Sequence, residues 1–265
     1  MKPFKEIFLL IGLASIFAIV VGFQNIKKQN TIKNLQKNDE RKGFAVVELF
    51  TSEGCWSCPP ADELIEKLQK GNNNKQLYIM AFHVDYWDHQ GWKDRFSKPE
   101  FTLRQQQYAS WLNLNTIYTP QIVVNGTTEL IGSDESAVLS SISSELKKTS
   151  SDTFVLHAEV KSKNIQVTYS DVRSHKEYQI IIALVQKSAL SKVKAGENAG
   201  KNLSHVQIVR ELYQQELVSE NNISIDLPND FNKEDWELIG FVQNKSNGKI
   251  TQATRFEFDN NVYAN

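Results

Sequence analysis

The chain has 265 residues, with 30 lysines and arginines against 31 aspartates and glutamates, for a formal charge of -1. That balance, with no basic patch, gives no electrostatic footprint for nucleic acid. Hydrophobic residues make up 40%, the content of ordinary globular material and enough for two modest domains. No phosphate-binding loop or serine triad is present.

In chain order, Met1-Lys-Pro-Phe-Lys5 precedes an uncharged apolar run from Ile7 to Phe23. Such a run reads as an export signal or membrane anchor over 1–23, although Lys27, Lys28, Lys33 and Lys37 beyond it run against the positive-inside rule. Export is expected because a long soluble domain translocates largely regardless of charge. Residues 24–42 are polar, rich in Lys, Asn and Gln and free of aromatics, which predicts an unstructured tether. The expected destination is the periplasm or cell envelope, with Ile7 to Phe23 as a membrane tether if it is retained.

Phe44-Ala-Val-Val-Glu-Leu-Phe50 is a short apolar run of the kind that makes a buried parallel strand. The only two cysteines, Cys55 and Cys58, follow it. A helix is expected next, because Ala61, Leu64, Ile65 and Leu68 recur at helical spacing and Pro59 and Pro60 suit a first turn. Strand, CxxC and helix in that order read as a thioredoxin-like motif, in which the helix amino terminus favours a Cys55 thiolate as nucleophile. A structural bridge closing a very short loop competes with this reading, as does half of a zinc site; no second CxxC or closely spaced His pair is present to complete the latter.

Gln76 to His83 predicts a second strand, placing His83, Asp85, Trp87, Asp88 and His89 outside its carboxyl end and near Cys55. Alternation puts His83 and Asp85 on one face. A metal is a minority reading for this cluster, because its spacing matches no zinc motif. Ser97 and Glu100 form a capping-box pattern opening a helix with Phe101, Tyr108, Trp111 and Leu112 on one face, inserted over the site. Tyr118 to Val124 predicts a strand with Thr119-Pro120 at its mouth and a cis bond there. Asn125-Gly126 turns it into a hairpin with Glu129 to Ile131, and Val138, Leu139, Ile142 and Leu146 mark a last helix. The order predicts a thioredoxin-like α/β domain over 43–150 with an inserted helical segment.

From Thr153 onward, Phe154 to Val160, Ile165 to Tyr169, Tyr178 to Val185, Ile223 to Leu227, Trp236 to Val242 and Ile250 to Phe258 are strand-like. They predict a mainly antiparallel, sandwich-like β domain over 153–265. Gly196 to Gly200 is a polar loop between two of these strands, bearing Glu197 and Asn198, with His205 beyond it. It is expected to pack at the mouth of the first domain and restrict access to Cys55.

Val46 to Asp62 with its Glu-Gly-Cys-Trp-Ser-Cys-Pro-Pro core, Phe82-His-Val-Asp-Tyr-Trp-Asp88, Gly91-Trp92, Phe101-Thr102, Arg104-Gln105 and Thr119-Pro-Gln121 together resemble a secreted thioredoxin-like family of unknown function, domain of unknown function twelve-twenty-three. Gly196 to Gly200, Ser204-His205 and Val209-Arg210 resemble the same family. The resemblance implies the fold and export, and marks the 196–200 loop as more than a hairpin turn. Similarity of Phe50 to Cys58 to the glutaredoxin active-site loop implies Cys55 as attacking thiol and Cys58 as resolving thiol.

These readings predict an exported thiol-disulfide oxidoreductase acting on protein or peptide thiols and disulfides, with no cofactor beyond its own redox-active disulfide. Cys55 and Cys58 react, and Pro120 presents backbone to the bound peptide. Glu48, a carboxylate in an apolar strand, either moves protons for Cys58 or is a paired structural group. Thr119, Trp56, His83, Asp85, Trp87, Glu197, Asn198 and His205 shape the surroundings, Trp56 near solvent. The alternative is a tethered thioredoxin-fold binding module for a peptide or metal, without redox turnover.

Overall fold

The computed structural model describes residues 24–35, 43–70, 72, 76–149, 154–170, 172, 175–217 and 222–258. The expected signal or anchor over 1–23 lies outside them. Among the described residues no helix is long and apolar enough to cross a membrane. Residues 24–35, part of the expected tether, form a helix, α1. Its Ile32 and Leu35 pack into the core, Leu35 at 1% exposure, so two apolar side chains anchor an otherwise polar segment.

The remaining elements are β1 (Ala45–Thr51), α2 (Pro59–Gln69), β2 (Leu77–His83), α3 (Pro99–Trp111), β3 (Gln121–Val124), β4 (Thr128–Ile131), α4 (Glu135–Lys147), β5 (Val155–Val160), β6 (Asn164–Ser170), β7 (Tyr178–Lys192), β8 (Asn202–Glu216), β9 (Asn222–Asp226), β10 (Trp236–Asn244) and β11 (Ile250–Glu257). An eight-stranded mixed sheet has the order β11-β10-β7-β8-β2-β1-β3-β4, and β5-β6-β9 form a second, three-stranded sheet.

This corrects the expected fold class. A thioredoxin-like α/β domain with a helical insertion, followed by a separate β domain, does not describe a mostly β molecule whose two halves share one sheet. The cause is β8, a strand of 15 residues absent from the expected set. It pairs with β7 along its length and runs parallel to β2, with Ala81 opposite Ile208. Without it the backbone edge of β2 would lie open.

Side-chain alternation then sorts the core into layers. Val46, Glu48 and Phe50 of β1 and Tyr78, Met80 and Phe82 of β2 face α3, in a layer that continues into Ile181 and Ala183 of β7 and Phe241 of β10. Val47, Leu49 and Ile79 face the other way, onto α2 and α4. Farther along, Ile180, Ile182 and Leu184 of β7 pack on the three-stranded sheet. Gly240 is the point of closest approach there, since a Cβ would lie 2.8 Å from Leu156 Cδ1.

The capping box expected at Ser97 does not form: Lys98 is the N-cap of α3 and gives no side-chain cap, while Ser97 Oγ donates to Asp88 Oδ2 at 2.7 Å. The helix is instead fixed by charge. Arg104 Nε and Nη2 donate to the two Glu48 carboxylate oxygens at 2.5 and 2.9 Å, and Tyr108 Oη donates to the same carboxylate. Glu48 is thereby a paired structural group, and the partner is Arg104. Arg104→Met, which leaves Glu48 buried and unpaired, is expected to lower stability by about 3–5 kcal/mol in urea unfolding, and the double variant with Glu48→Gln to recover part of that loss.

Candidate functional site

The cysteine pair lies where β1 ends and α2 begins. Cys55 N–H donates to Ser52 O and Cys58 N–H to Cys55 O, each at 3.2 Å, folding the segment into consecutive turns. That turn brings the sulfurs together in a Cys55–Cys58 disulfide with a Cα–Cα distance of 5.4 Å. Cys58 is the N-cap of α2, and Pro59 and Pro60 fill its first two positions. The prolines have no N–H, and the N–H groups of Ala61 and Asp62 both donate to Cys58 O. Direct N–H donors for a thiolate are therefore fewer than expected, and the helix acts on sulfur through its macrodipole.

Both cysteines are at 0% exposure. The cover is complete, beyond the restricted access to Cys55 expected of the 196–200 loop. Trp56 between them is at 66% exposure, as the sequence led one to expect. Part of the cover is the segment linking β7 to β8, residues 193–201, a strap closed on itself by Val193–Lys201 and Gly200–Val193 backbone hydrogen bonds. Its Asn198, fully buried, donates through Nδ2 to Glu53 O and Cys55 O, both at 2.9 Å. Glu197 Oε2 accepts from Trp56 N–H at 3.1 Å. Gly196, at φ +73°, meets the turn at Gly91, where a Cβ on it would lie 3.1 Å from Trp92 Cβ.

On another side stands the Thr119–Pro120 peptide, which is cis, as expected. Ser57 Oγ donates to Thr119 O at 3.5 Å and lies 3.4 Å from Cys55 Sγ, while Trp87 Nε1 donates to Thr119 Oγ1 at 2.8 Å. Pro120 packs near Gly132 and the first turn of α2.

Beneath the cysteine turn lies a buried array of ionisable groups. His83 Nδ1 lies 2.6 Å from Asp94 Oδ2, which also accepts Glu53 N–H at 2.8 Å. Trp92 Nε1 donates to Glu53 Oε2 at 2.6 Å, and His205 Nε2 is 3.6 Å from Glu53 Oε1. The His83 and His205 rings meet edge to face, centroids 4.9 Å apart. Asp85 does not share this environment: it turns to Thr102, whose Oγ1 donates to it at 2.5 Å. The expected His83–Asp85 pairing on one face thus fails, because β2 ends at His83 and the chain turns. Among the described residues, no group of three His, Cys, Asp or Glu is disposed to hold a metal ion.

Burial opposes ionisation of Glu53, but the contacts from His205, Ser191 and Trp92 outweigh burial and the nearby Asp94 charge, and hold its carboxyl below its usual range. Burial likewise opposes ionisation of Asp94, and His83 together with the Glu53 and Phe96 N–H groups prevails. Asp62 goes the other way. It lies on α2 in contact with β8, and burial pushes its carboxyl up to about 7 against the pull of His205 and the Thr51 hydrogen bond. Asp62 was not among the site residues expected from the sequence; its spacing of four from Cys58 was the available signal. Glu53, Trp92 and Asp94 were also missed as site residues.

Stability should follow these opposed shifts. Glu53 and Asp94 have depressed folded values, so their contribution is present above the ordinary 4.5 and 3.8 and is lost as pH falls through the lower folded values. Asp62 has a raised one, so its contribution is complete below 3.8 and lost as pH rises through about 7. Urea midpoints are expected to rise from about pH 3 to about pH 4.5 and then to decline toward about pH 8. Asp62→Asn should remove the decline, and Asp94→Asn should flatten part of the rise.

A family model described as protein of unknown function (DUF1223) matches residues 46–243. Similar solved structures include the crystal structure of an Agrobacterium tumefaciens protein from structural genomics, 24% identical with a TM-score of 0.62, over 86% of this chain and 100% of that one. HBP35 of Porphyromonas gingivalis is 15% identical with a TM-score of 0.56, over 84% of this chain and 77% of that one. At these identities the likeness is one of fold. No curated protein matches.

Proposed function

We propose that this chain, which belongs to the DUF1223 family of proteins of unknown function, exchanges thiols and disulfides with protein or peptide partners through Cys55 and Cys58, outside the cytoplasm. The observation that carries the reading is the disulfide itself, closed between two residues of one turn at the head of α2. A partner thiolate attacks Cys55 Sγ and expels Cys58 as thiolate, giving a mixed disulfide. A second partner thiolate attacks the partner sulfur of that bond and releases Cys55, leaving a partner disulfide and the dithiol; the reverse sequence oxidises the pair.

Because both sulfurs are covered, attack requires the strap to lift from the cysteine turn. Few bonds hold it there: two from Asn198 and one to Glu197. At about 0.5–1.5 kcal/mol each, losing the Asn198 pair is a modest opening free energy. Asn198→Ala is expected to speed alkylation of the reduced pair about tenfold, at unchanged circular dichroism. An unchanged rate would detach the strap from sulfur access.

The complete cover of both cysteines favours a second reading, a binding module in which the bridge merely fixes the turn. Cys58→Ala separates the two. An exchanging protein accumulates Cys55-linked partners or a Cys55-linked model peptide, resolved by mass spectrometry, whereas a binding module accumulates none even with Asn198→Ala added.

A further inference from the structure

Cys58 is fully buried at the N-cap of α2, and each turn of the exchange proposed above takes a proton from its sulfur or returns one, which a carboxyl beside it on the same helix would serve. Glu48, the carboxylate the sequence offered for that work, is clamped by Arg104 and Tyr108 on the α3 side of β1. Glu53 and Asp94 are held as carboxylates by Trp92 and His83. Glu197 Oε2 accepts the Trp56 N–H from the strap, which leaves the turn when the strap lifts; Asp62 is the carboxyl that stays with Cys58 on α2. Cys58 already has helical φ and ψ, at -77° and -36°, so Asp62, four residues on, lies on the same side of α2. Side chains on a helix lean toward its amino end, which brings the Asp62 carboxyl back toward the Cys58 turn. Its N–H donates to Cys58 O at 3.2 Å, and Thr51 Oγ1 donates to its Oδ2 at 3.2 Å. Asp62 is half-buried on α2, where Cys58 is fully buried.

We infer that Asp62 is the proton acceptor and donor for Cys58. As the Cys58 sulfur attacks Cys55 Sγ of a mixed disulfide, its thiol proton passes to the Asp62 carboxylate, the Cys55–Cys58 bond forms, and the partner leaves as thiolate, taking its proton from water. In the opposite direction, protonated Asp62 returns the proton to the departing Cys58 thiolate. The groups facing Asp62 are His205 on β8, Asp94 in the segment after β2, and Glu63 on its own helix. Burial outweighs the His205 attraction, and the carboxyl sits at about 7, where both of its forms are populated at neutral pH.

The assignment rests on the exchange reading, and one experiment separates their failures. The full-length chain is reduced, mixed with glutathione disulfide, and quenched with acid at intervals, from about pH 5.5 to about pH 9. Mass spectrometry then follows closure of the Cys55–glutathione species to the intramolecular bridge. Asp62→Asn is expected to slow closure about a hundredfold near pH 7 and to erase the inflection near that pH, leaving a rate that climbs with Cys58's own ionisation. A wild type that closes the bridge, beside an Asp62→Asn variant with the same rate and profile, would overturn the assignment and leave exchange standing. A wild type that forms no mixed species, even with Asn198→Ala, removes exchange and the assignment together. Should Asp62→Asn fail to fold, carbon-13 NMR of the wild-type Asp62 carboxyl decides: a midpoint near 7 that moves on reduction supports it, and an ordinary midpoint in both states overturns it.

Discussion

Strand β8 lies hydrogen-bonded between β7 and β2, and its position there is what assembles the site. The β2 edge needs a partner, and supplying one from the second half of the chain carries His205 to within ring contact of His83. The same hairpin has to turn back beyond β7, and the turn it makes is the strap over Cys55. A displacement of β8 would therefore disturb the sheet, the buried ionisable array and the cover of the disulfide together. The bulge between Leu184 and Val185, where Arg210 is the extra residue on β8, adjusts the hairpin close to Ile208, its meeting point with β2.

Two groups of buried charge on either side of β1 are held on opposite terms. Glu48 and Arg104 satisfy one another almost completely, with Tyr108 and Gln243 closing the network, and that arrangement welds α3 to the sheet. The array of Glu53, Asp94, His83 and His205 is less complete: Glu53 Oε1, His83 Nε2 and both His205 nitrogens have no hydrogen-bond partner among the described residues. A fully satisfied network rigidifies a fold, while an incomplete one leaves groups free to respond to a change of charge nearby. It is the incomplete network that lies under the cysteines.

Much of the first half was legible in the sequence because its signals are local. An apolar run, two prolines after Cys58, and Thr-Pro ahead of a β-branched run each declare an element or a bond within a few residues, and β1, α2, β2, β3, β4 and α4 form where these signals fall. The overall class was not legible, for β8 reads as mixed polar sequence. His205, Gln207 and Arg210 interrupt its apolar residues, and each is explained only by a distant partner: Glu53, Glu237 and Asp230. The choice between the two readings of Glu48, and the surroundings of Asp62, likewise depend on distant residues. Arg104, which fixes Glu48, is 56 positions away, and the cover that raises Asp62 comes with the unforeseen strand. The 196–200 loop, by contrast, was placed over Cys55 from sequence likeness alone.

The composition of the strap has a thermodynamic consequence. Glu197, Ala199 and Gly200 face solvent, and the side chain it buries against the cysteine turn is the Asn198 amide, whose oxygen accepts from Lys201. Gly196 and Gly91 abut with no side chains between them. Residues 196–200, held by an amide and by backbone fit, shed little apolar surface when they swing out about a Val193 that stays buried. Their detachment carries a small heat-capacity change and a shallow dependence on denaturant, and so belongs to the local openings a native protein samples without loosening its core.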